Sequence, residues 1–326
     1  MTKIVQIGCG HWGKNLTRNF AEIGVLAGVV DGNPETAARM AEAHGVPVTT
    51  LEAALADPAV DGISLATPAP SHAALATRAL EAGKHVYVEK PLALSTADAE
   101  ALIRLADEKG RALMVGHLLQ YHPVFRELRR QVEGGLIGDV QYVYSNRMSL
   151  GKFRIEENVL WSFAPHDFSM LLSLVEQEPR SVTAQGASFV TRGIADWCTV
   201  HFDFANGVRG HIQTSWLHPF KEHRLVVIGS DGMLVFEDSA RMWEHKLAHY
   251  AYKIVPTDAA PVPEKADAVY LPVEKGEPLK DECQHFVECI ETGATPRTDG
   301  REGLAVLRAL NMAEEALQQS LKGTAE

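Results

Sequence analysis

The first third of the chain is an alternation. Short apolar runs recur at Lys3 to Ile7, Val25 to Val30, Val46 to Thr49, Gly62 to Ala66, His85 to Val88 and Ala112 to Gly116. Between most of them lie longer stretches with helical spacing, such as Leu16, Phe20 and Ile23, or the segments SHAALATRALEAG and STADAEALIRLADEKG. A strand with one wet face would alternate apolar and polar residues. These runs are mostly apolar without a regular alternation, so both faces must be covered. Repeated strand–helix units of this kind predict a parallel α/β sheet, doubly wound, with helices on both sides. Gly24 is placed to end the first helix, and Asn33-Pro34-Glu35 to begin the second.

In such a sheet, ligands gather beyond the carboxyl ends of the strands. That edge carries the residues that apolar patterning does not explain. Gly8, Gly10 and Gly13 form GxGxxG between the first strand and first helix, with His11 and Trp12 enclosed. This spacing lets backbone amides and a helix N-terminus meet a pyrophosphate. Asp31 ends the second strand, at about the 20-residue distance expected for an acid that binds ribose hydroxyls. A carboxylate there repels a 2′-phosphate, so the expected cofactor is NAD rather than NADP. Thr67 and Pro68 end the fourth run, and His72 opens the next helix in a loop able to cover the nicotinamide side. Taken alone, that loop is only a good helix start.

The run at His85 ends in Glu89-Lys90-Pro91. Lysine and glutamate are poor strand residues, and proline cannot continue a ladder. At this edge a cation can hydrogen-bond a substrate hydroxyl and stabilise charge as its proton leaves. Glu89 can orient or neutralise it. An incidental surface pair is the alternative.

Beyond about residue 120 the pattern changes. Cys198, Val200, Phe202 and Phe204 alternate with Thr199, His201 and Asp203, and Asn206-Gly207 and Asp231-Gly232 read as hairpin turns. The division expected is residues 1–120 as a dinucleotide-binding domain and 121–326 as an α/β domain with a large, mostly antiparallel open sheet, one face on helices and the other either solvated or an oligomer surface. A helix is predicted from His166 through Phe168, Met170, Leu171, Leu174 and Val175. An imidazole near pKa 6.5 suits a proton acceptor at neutral pH. The segment 251–278 reads as a loop with at most a short strand, and Gly303 to Leu321 as a terminal amphipathic helix.

Composition narrows the partners. The formal net charge of −11 over 326 residues argues against nucleic acid. No apolar run approaches the ~20 residues of a membrane span, and the N-terminus runs straight into a strand, so a cytoplasmic protein is expected. Cys9, Cys198, Cys283 and Cys289 lack zinc or redox spacing and read as buried thiols. His245 and His249 form HxxxH without the glutamate of HExxH, so no metal is expected.

The segments IGCGHWGKN, ATPAPSH and YVEKPLAL together resemble the Gfo/Idh/MocA family of oxidoreductases, with the glutamate–lysine–proline triplet as the most specific mark. The resemblance implies a Rossmann domain joined to an open-sheet α/β domain, NAD-dependent oxidation of a carbinol on a sugar or inositol, and a homodimer or homotetramer built through the C-terminal sheet. It implies that Lys90 helps deprotonate the substrate hydroxyl and that His166 is the general base. The cofactor side is then Gly8, Gly10, His11, Trp12, Gly13, Asp31, Thr67, Pro68, His72, Glu89 and Lys90. Many members carry an aspartate four positions before the histidine; Ser162 stands there, so a carboxylate relay is in doubt. NRMSLGKFRIEENVLWSFAPHD resembles the branch that oxidises UDP-linked N-acetylglucosaminuronic acid at C3, a step toward diamino sugars of polysaccharides. Such a nucleotide-sugar acid would need local cations. Arg147, Lys152 and Arg154 in NRMSLGKFR and Lys221, His223 and Arg224 in HPFKEHR are the available cations; His117 and Trp161 are the other candidate substrate contacts, Trp161 as a ring that could stack on a sugar or uracil, with core packing its alternative. For each cation a solvated surface position is the alternative. Two other readings stand beside this one: a dehydrogenase of free inositol or a keto-sugar reductase, and a cofactor-bound sensor or scaffold without catalysis.

Overall fold

A computed structural model describes residues 2–151 and 153–323, and its chain forms two compact units, Met1–Tyr121 with Glu277–Leu307, and His122–Gly276 with Arg308–Glu326. The sequence predicts a single boundary, between residues 120 and 121. The chain instead returns to the first unit late, and this return was not legible as a domain element.

The first unit follows the predicted alternation: β1 (Ile4–Ile7), α1 (Gly13–Ile23), β2 (Leu26–Val30), α2 (Pro34–His44), α3 (Leu51–Ala56), β3 (Gly62–Leu65), α4 (His72–Glu81), β4 (His85–Glu89), α5 (Thr96–Lys109) and β5 (Leu113–Gly116). The five strands are parallel, in the order β2-β1-β3-β4-β5. Every residue of β1, β3 and β5 is buried, as their mostly apolar sequences require, with Gln6 and Ser64 the polar exceptions. Gly24 ends α1 at φ 83°, a left-handed conformation open to glycine. Asn33 caps α2 by accepting from the Glu35 and Thr36 amides at 2.9 and 3.1 Å, with Pro34 in the first turn.

The run at Val46 to Thr49 does not form a strand. It makes one parallel bridge, Val29 to Val48, beside β2. Pro47 accepts from the Val29 amide at 3.1 Å but has no N–H of its own to extend the ladder. The helix α3 was not anticipated; Thr50 caps it through the Ala53 amide.

The second unit contains α6 (Pro123–Glu133), β6 (Val140–Met148), α7 (Val159–Phe163), α8 (Pro165–Val175), β7 (Ser181–Ala187), β8 (Trp197–Asp203), β9 (Arg209–Ser215), β10 (Glu222–Gly229), β11 (Gly232–Glu237), β12 (Leu247–Val255), β13 (Val262–Lys265) and β14 (Val269–Tyr270). They build a nine-stranded sheet in the order β13-β12-β11-β10-β6-β9-β8-β7, with β14 also on β12. Every pairing is antiparallel except β6 with β9. The segment 251–278, expected as a loop with at most one short strand, therefore holds the end of β12 and two further strands. Their proline-rich, exposed sequence suits a sheet edge and hides the pattern of a buried strand.

The face of β8 and β9 covered by helix is the predicted one. Cys198, Val200, Phe202 and Ile212 are buried, and Phe168 of α8 meets Phe202 edge-on with ring centroids 5.0 Å apart. Gly210 admits α8, since a Cβ there would lie 3.0 Å from Leu171 Cδ1.

The chain ends in α9 (Pro278–Thr292) and α10 (Gly300–Gly323). In the first unit, α9 buries Cys283, Phe286 and Val287 in one core with Ile4, Leu16, Phe20 and Tyr87. Fully burying a side chain such as Phe286 contributes about 1.5–3 kcal/mol. All four cysteines are buried and free. No helix among the described residues is long and apolar enough to cross a membrane.

Candidate active site

The glycine loop follows β1 as predicted, and its three glycines have different reasons to be glycine. Gly8 has φ +84°, and a Cβ on it would lie 2.6 Å from the Ala66 carbonyl oxygen. A Cβ on Gly13 would lie 1.9 Å from the Gly8 carbonyl oxygen. Those two are required by the fold. Gly10 is exposed, and a Cβ there would meet nothing within 4 Å. The protein itself therefore gives no steric reason for glycine at position 10.

The start of α1 is equally suited to an anion. No side chain caps it and its first turn holds no acid, so the helix supplies no anion of its own at its positive end. At the end of β2, Asp31 accepts from the Cys9 amide at 2.6 Å and the Asn33 amide at 2.8 Å, which ties the loop to the second strand. These features fit a dinucleotide: an open glycine and free helix terminus for the pyrophosphate, and a carboxylate for the ribose.

The Glu89-Lys90-Pro91 turn lies at the same edge, at the end of β4, and its Lys90–Pro91 bond is cis. Glu89 accepts from Trp12 Nε1, so the lysine turn is tied to the glycine loop by a side-chain bond. Glu89 keeps partial exposure as a residue, yet burial raises the pKa of its carboxyl. The Trp12 hydrogen bond and the Lys90 charge oppose that rise. Tyr87 also reaches Glu89, at 3.1 Å. Lys90 is half-buried.

Thr67, Pro68 and His72 are brought to this edge as well, but His72 does not face outward. It is 1% exposed, with Nδ1 2.7 Å from the Pro91 carbonyl oxygen and Nε2 2.8 Å from that of Thr67. Its ring braces the lysine turn against the preceding loop, and burial lowers its pKa. Thr67 shares a 2.7 Å hydrogen bond with Ser71. His117, a proposed substrate contact, is buried with Nδ1 2.6 Å from Glu302.

In the second unit, His166 sits half-buried in the first turn of α8, directly after Pro165. Its neighbour Asp167 is buried, accepts from Ser145 Oγ at 2.5 Å, and is ion-paired with Arg147. The Arg147 guanidinium is thus committed to holding the start of α8, and it also contacts His223 Nδ1 at 3.1 Å. Arg154 pairs with Glu157 at 2.9 Å, Lys221 with Asp238 at 3.1 Å, and Arg224 with Glu237 at 2.5 Å. Trp161 Nε1 donates to Glu314 at 3.1 Å, and Ser162 is buried. Lys152 lies outside the described residues. His245 stacks on Tyr270 with centroids 4.4 Å apart, and no cluster of three or more metal-ligating side chains occurs among the described residues.

Sequence reasoning missed Tyr87, Gly116 and Glu282, and it reads Asp167 only as an acid favouring the start of a helix. Glu282 left a signal: it is a charged residue on the face of α9 otherwise formed by Cys283, Phe286, Val287 and Cys289.

A parallel sheet of this topology with this loop defines a dinucleotide-binding fold of the oxidoreductase type, carrying an added open-sheet unit. Two family models match it: "Oxidoreductase family, NAD-binding Rossmann fold" over residues 2–117, and "GFO/IDH/MocA C-terminal domain" over residues 125–235. The chain belongs to the Gfo/Idh/MocA oxidoreductases, a family with an NAD-binding Rossmann fold. Among relatives, a UDP-N-acetylglucosamine 3-dehydrogenase of Acidithiobacillus ferrooxidans is 36% identical over 211 residues, 64% of this chain and 65% of that protein. The inositol 2-dehydrogenase of Rhizobium meliloti is 27% identical over 305 residues, 90% of this chain and 89% of that protein. A solved structure of the Acidithiobacillus ferrooxidans enzyme superposes with a TM-score of 0.86 at 29% identity, over 98% of each chain.

Proposed function

We propose that the protein is an NAD-dependent dehydrogenase that oxidises a secondary alcohol of a sugar, at C3 of a UDP-linked N-acetylhexosamine. The observation that carries this reading is the tie between Lys90 and the glycine loop: Glu89, next to Lys90, is bonded to Trp12 between Gly10 and Gly13. In this role Lys90 donates a hydrogen bond to the substrate hydroxyl and stabilises its oxygen as charge develops. His166 accepts the hydroxyl proton. Ser162 provides no carboxylate behind it. The Gly10 loop and the start of α1 bind pyrophosphate, and Asp31 accepts from the ribose hydroxyls. Bound NAD supplies the two-electron acceptor.

The similarity to a UDP-N-acetylglucosamine 3-dehydrogenase supports the sugar class. The ion pairs of the second unit favour a neutral hexosamine over the uronic acid, because the arginine best shielded from water, Arg147, already neutralises Asp167. A free inositol is the second reading, supported by the alignment with an inositol 2-dehydrogenase over 90% of the chain. The test is NADH absorbance in parallel reactions with UDP-N-acetylglucosamine, its uronic acid and myo-inositol. Turnover confined to myo-inositol would overturn the nucleotide-sugar assignment, and no turnover with any of them would favour a non-catalytic role.

A further inference from the structure

Glu282 stands on the buried face of α9 and is 0% exposed. Its Oε2 lies 3.0 Å from the Tyr87 hydroxyl, and its Oε1 has no hydrogen-bond partner among the described residues. The same hydroxyl lies 3.1 Å from Glu89 Oε1. A phenol has one proton and can donate it to only one of two carboxyl groups. Were both ionised, the second contact would set oxygen lone pairs face to face in a site without water's screening. One carboxyl must therefore carry a proton. Glu89 receives the Trp12 N–H and neighbours the Lys90 ammonium, and both favour its anion. Glu282 has neither, and a bare buried carboxylate is costly.

We infer that Glu282 is a positioning residue that works as a neutral carboxylic acid: it donates to the Tyr87 oxygen, so that Tyr87 donates to Glu89 and fixes the turn carrying Lys90. Burial, with Glu89 next, pushes Glu282 well above the usual carboxyl range, in keeping with this order of donors. Among the described residues, the titratable groups that interact with it include Tyr87, Glu89, Cys283, Tyr121 and Glu302, and none of these five is a cation. Gly116, paired with Glu89 across β4 and β5, leaves the room. A Cβ there would lie 2.6 Å from the Tyr87 hydroxyl and 3.0 Å from Glu89 Oε1. Glu282 touches no reacting group; the catalytic part of the inference rests on the role proposed for Lys90, and the protonation part does not.

Two measurements test it on the full chain. Infrared spectra at neutral pH should show the carbonyl stretch of a protonated carboxyl in the parent protein, and Glu282→Gln should lose that band. In steady-state kinetics, Glu282→Gln keeps an N–H donor of the same shape and should turn over within about threefold of the parent. Glu282→Leu removes the donor and should lower kcat by roughly 10²-fold through misplacement of Lys90, with NAD affinity unchanged. Should the leucine variant fail to fold, Tyr87→Phe breaks the same relay at nearly constant volume and should give the same fall. Absence of the band from the parent, its persistence in Glu282→Gln, or a glutamine variant as slow as the leucine variant would each overturn the inference. If the parent oxidises no sugar, the proposed activity fails, while the band alone still decides the state of Glu282.

Discussion

Alanine at position 10 and alanine at position 13 should separate ligand binding from folding. The two glycines lie three residues apart in one loop, yet their surroundings are opposite. A Cβ on Gly13 would sit 1.9 Å from the Gly8 carbonyl oxygen, 2.8 Å from its carbon and 3.2 Å from Ala66 Cβ. Two of these three are backbone atoms, which cannot swing aside as a flexible side chain would. Overpacking of this kind costs about 3 kcal/mol, so Gly13→Ala should unfold at a clearly lower temperature. Around Gly10 there is nothing within 4 Å, and its φ lies outside the left-handed region. Gly10→Ala should therefore stay within about 0.5 kcal/mol of the parent, or gain slightly as the unfolded chain loses freedom. The added methyl does, however, occupy the space a pyrophosphate needs to reach the loop amides. Loss of one charge-assisted hydrogen bond is worth about 1.5–3 kcal/mol, which corresponds to roughly a 10- to 100-fold rise in the Kd for NAD. Trp12, 37% exposed in the same loop, offers a fluorescence signal for the titration, and thermal unfolding without cofactor gives the stability arm. A Gly10→Ala variant that binds NAD within twofold of the parent would refute the placement of the dinucleotide on this loop.

Three further outcomes follow from the same structure. Lys90→Met and His166→Asn should each lower kcat by on the order of 10²–10⁴ with NAD affinity nearly unchanged, read by turnover and by the same titration; unchanged turnover in both would remove them from the reaction. Arg147→Met should destabilise the second unit by about 3–5 kcal/mol in denaturant unfolding, because it strands buried Asp167 without its partner. Burial pushes the His122 pKa down to about 4, with Lys246 and Lys221 adding to it and Asp238 opposing; its Nδ1 accepts from the Val124 amide at 3.2 Å, as a neutral ring can. The unfolded chain then takes up a proton that the folded one refuses, so this stability is whole above about pH 6.5 and falls by up to about 3 kcal/mol as pH drops toward 4, a slope that His122→Asn should flatten.

Much of the first unit was legible because its physics is local. A mostly apolar strand, a helix repeat and a capping asparagine each act within a few residues, and the ends of β1, β2 and β4 place Gly8, Asp31 and Lys90 on one sheet edge by topology alone. What escaped depended on partners far along the chain or on single atoms. Pro47 reduced an apolar run to one bridge through a missing N–H. The strands at Val262 and Val269 carry an exposed edge sequence that no periodicity marks. Arg147 reads as an available cation because Asp167, which holds it, lies twenty residues on.

The unexplained residues sort by what their surroundings demand. Gly8 and Gly13 are glycine because backbone atoms stand where a Cβ would be, so any chain with this backbone would need them, whatever it bound; at Gly116 it is the Tyr87 hydroxyl and the Glu89 carboxylate that stand there. Gly10 has no such demand from the fold, because open space surrounds a Cβ there, and Lys90 sets a cation at a strand end where apolar packing calls for none. A residue that costs the fold something, or gains it nothing, is where selection for a ligand must be sought. By that criterion His72, buried with both ring nitrogens on backbone carbonyls, belongs with the fold. Its replacement should therefore loosen the lysine turn rather than remove a contact to the cofactor.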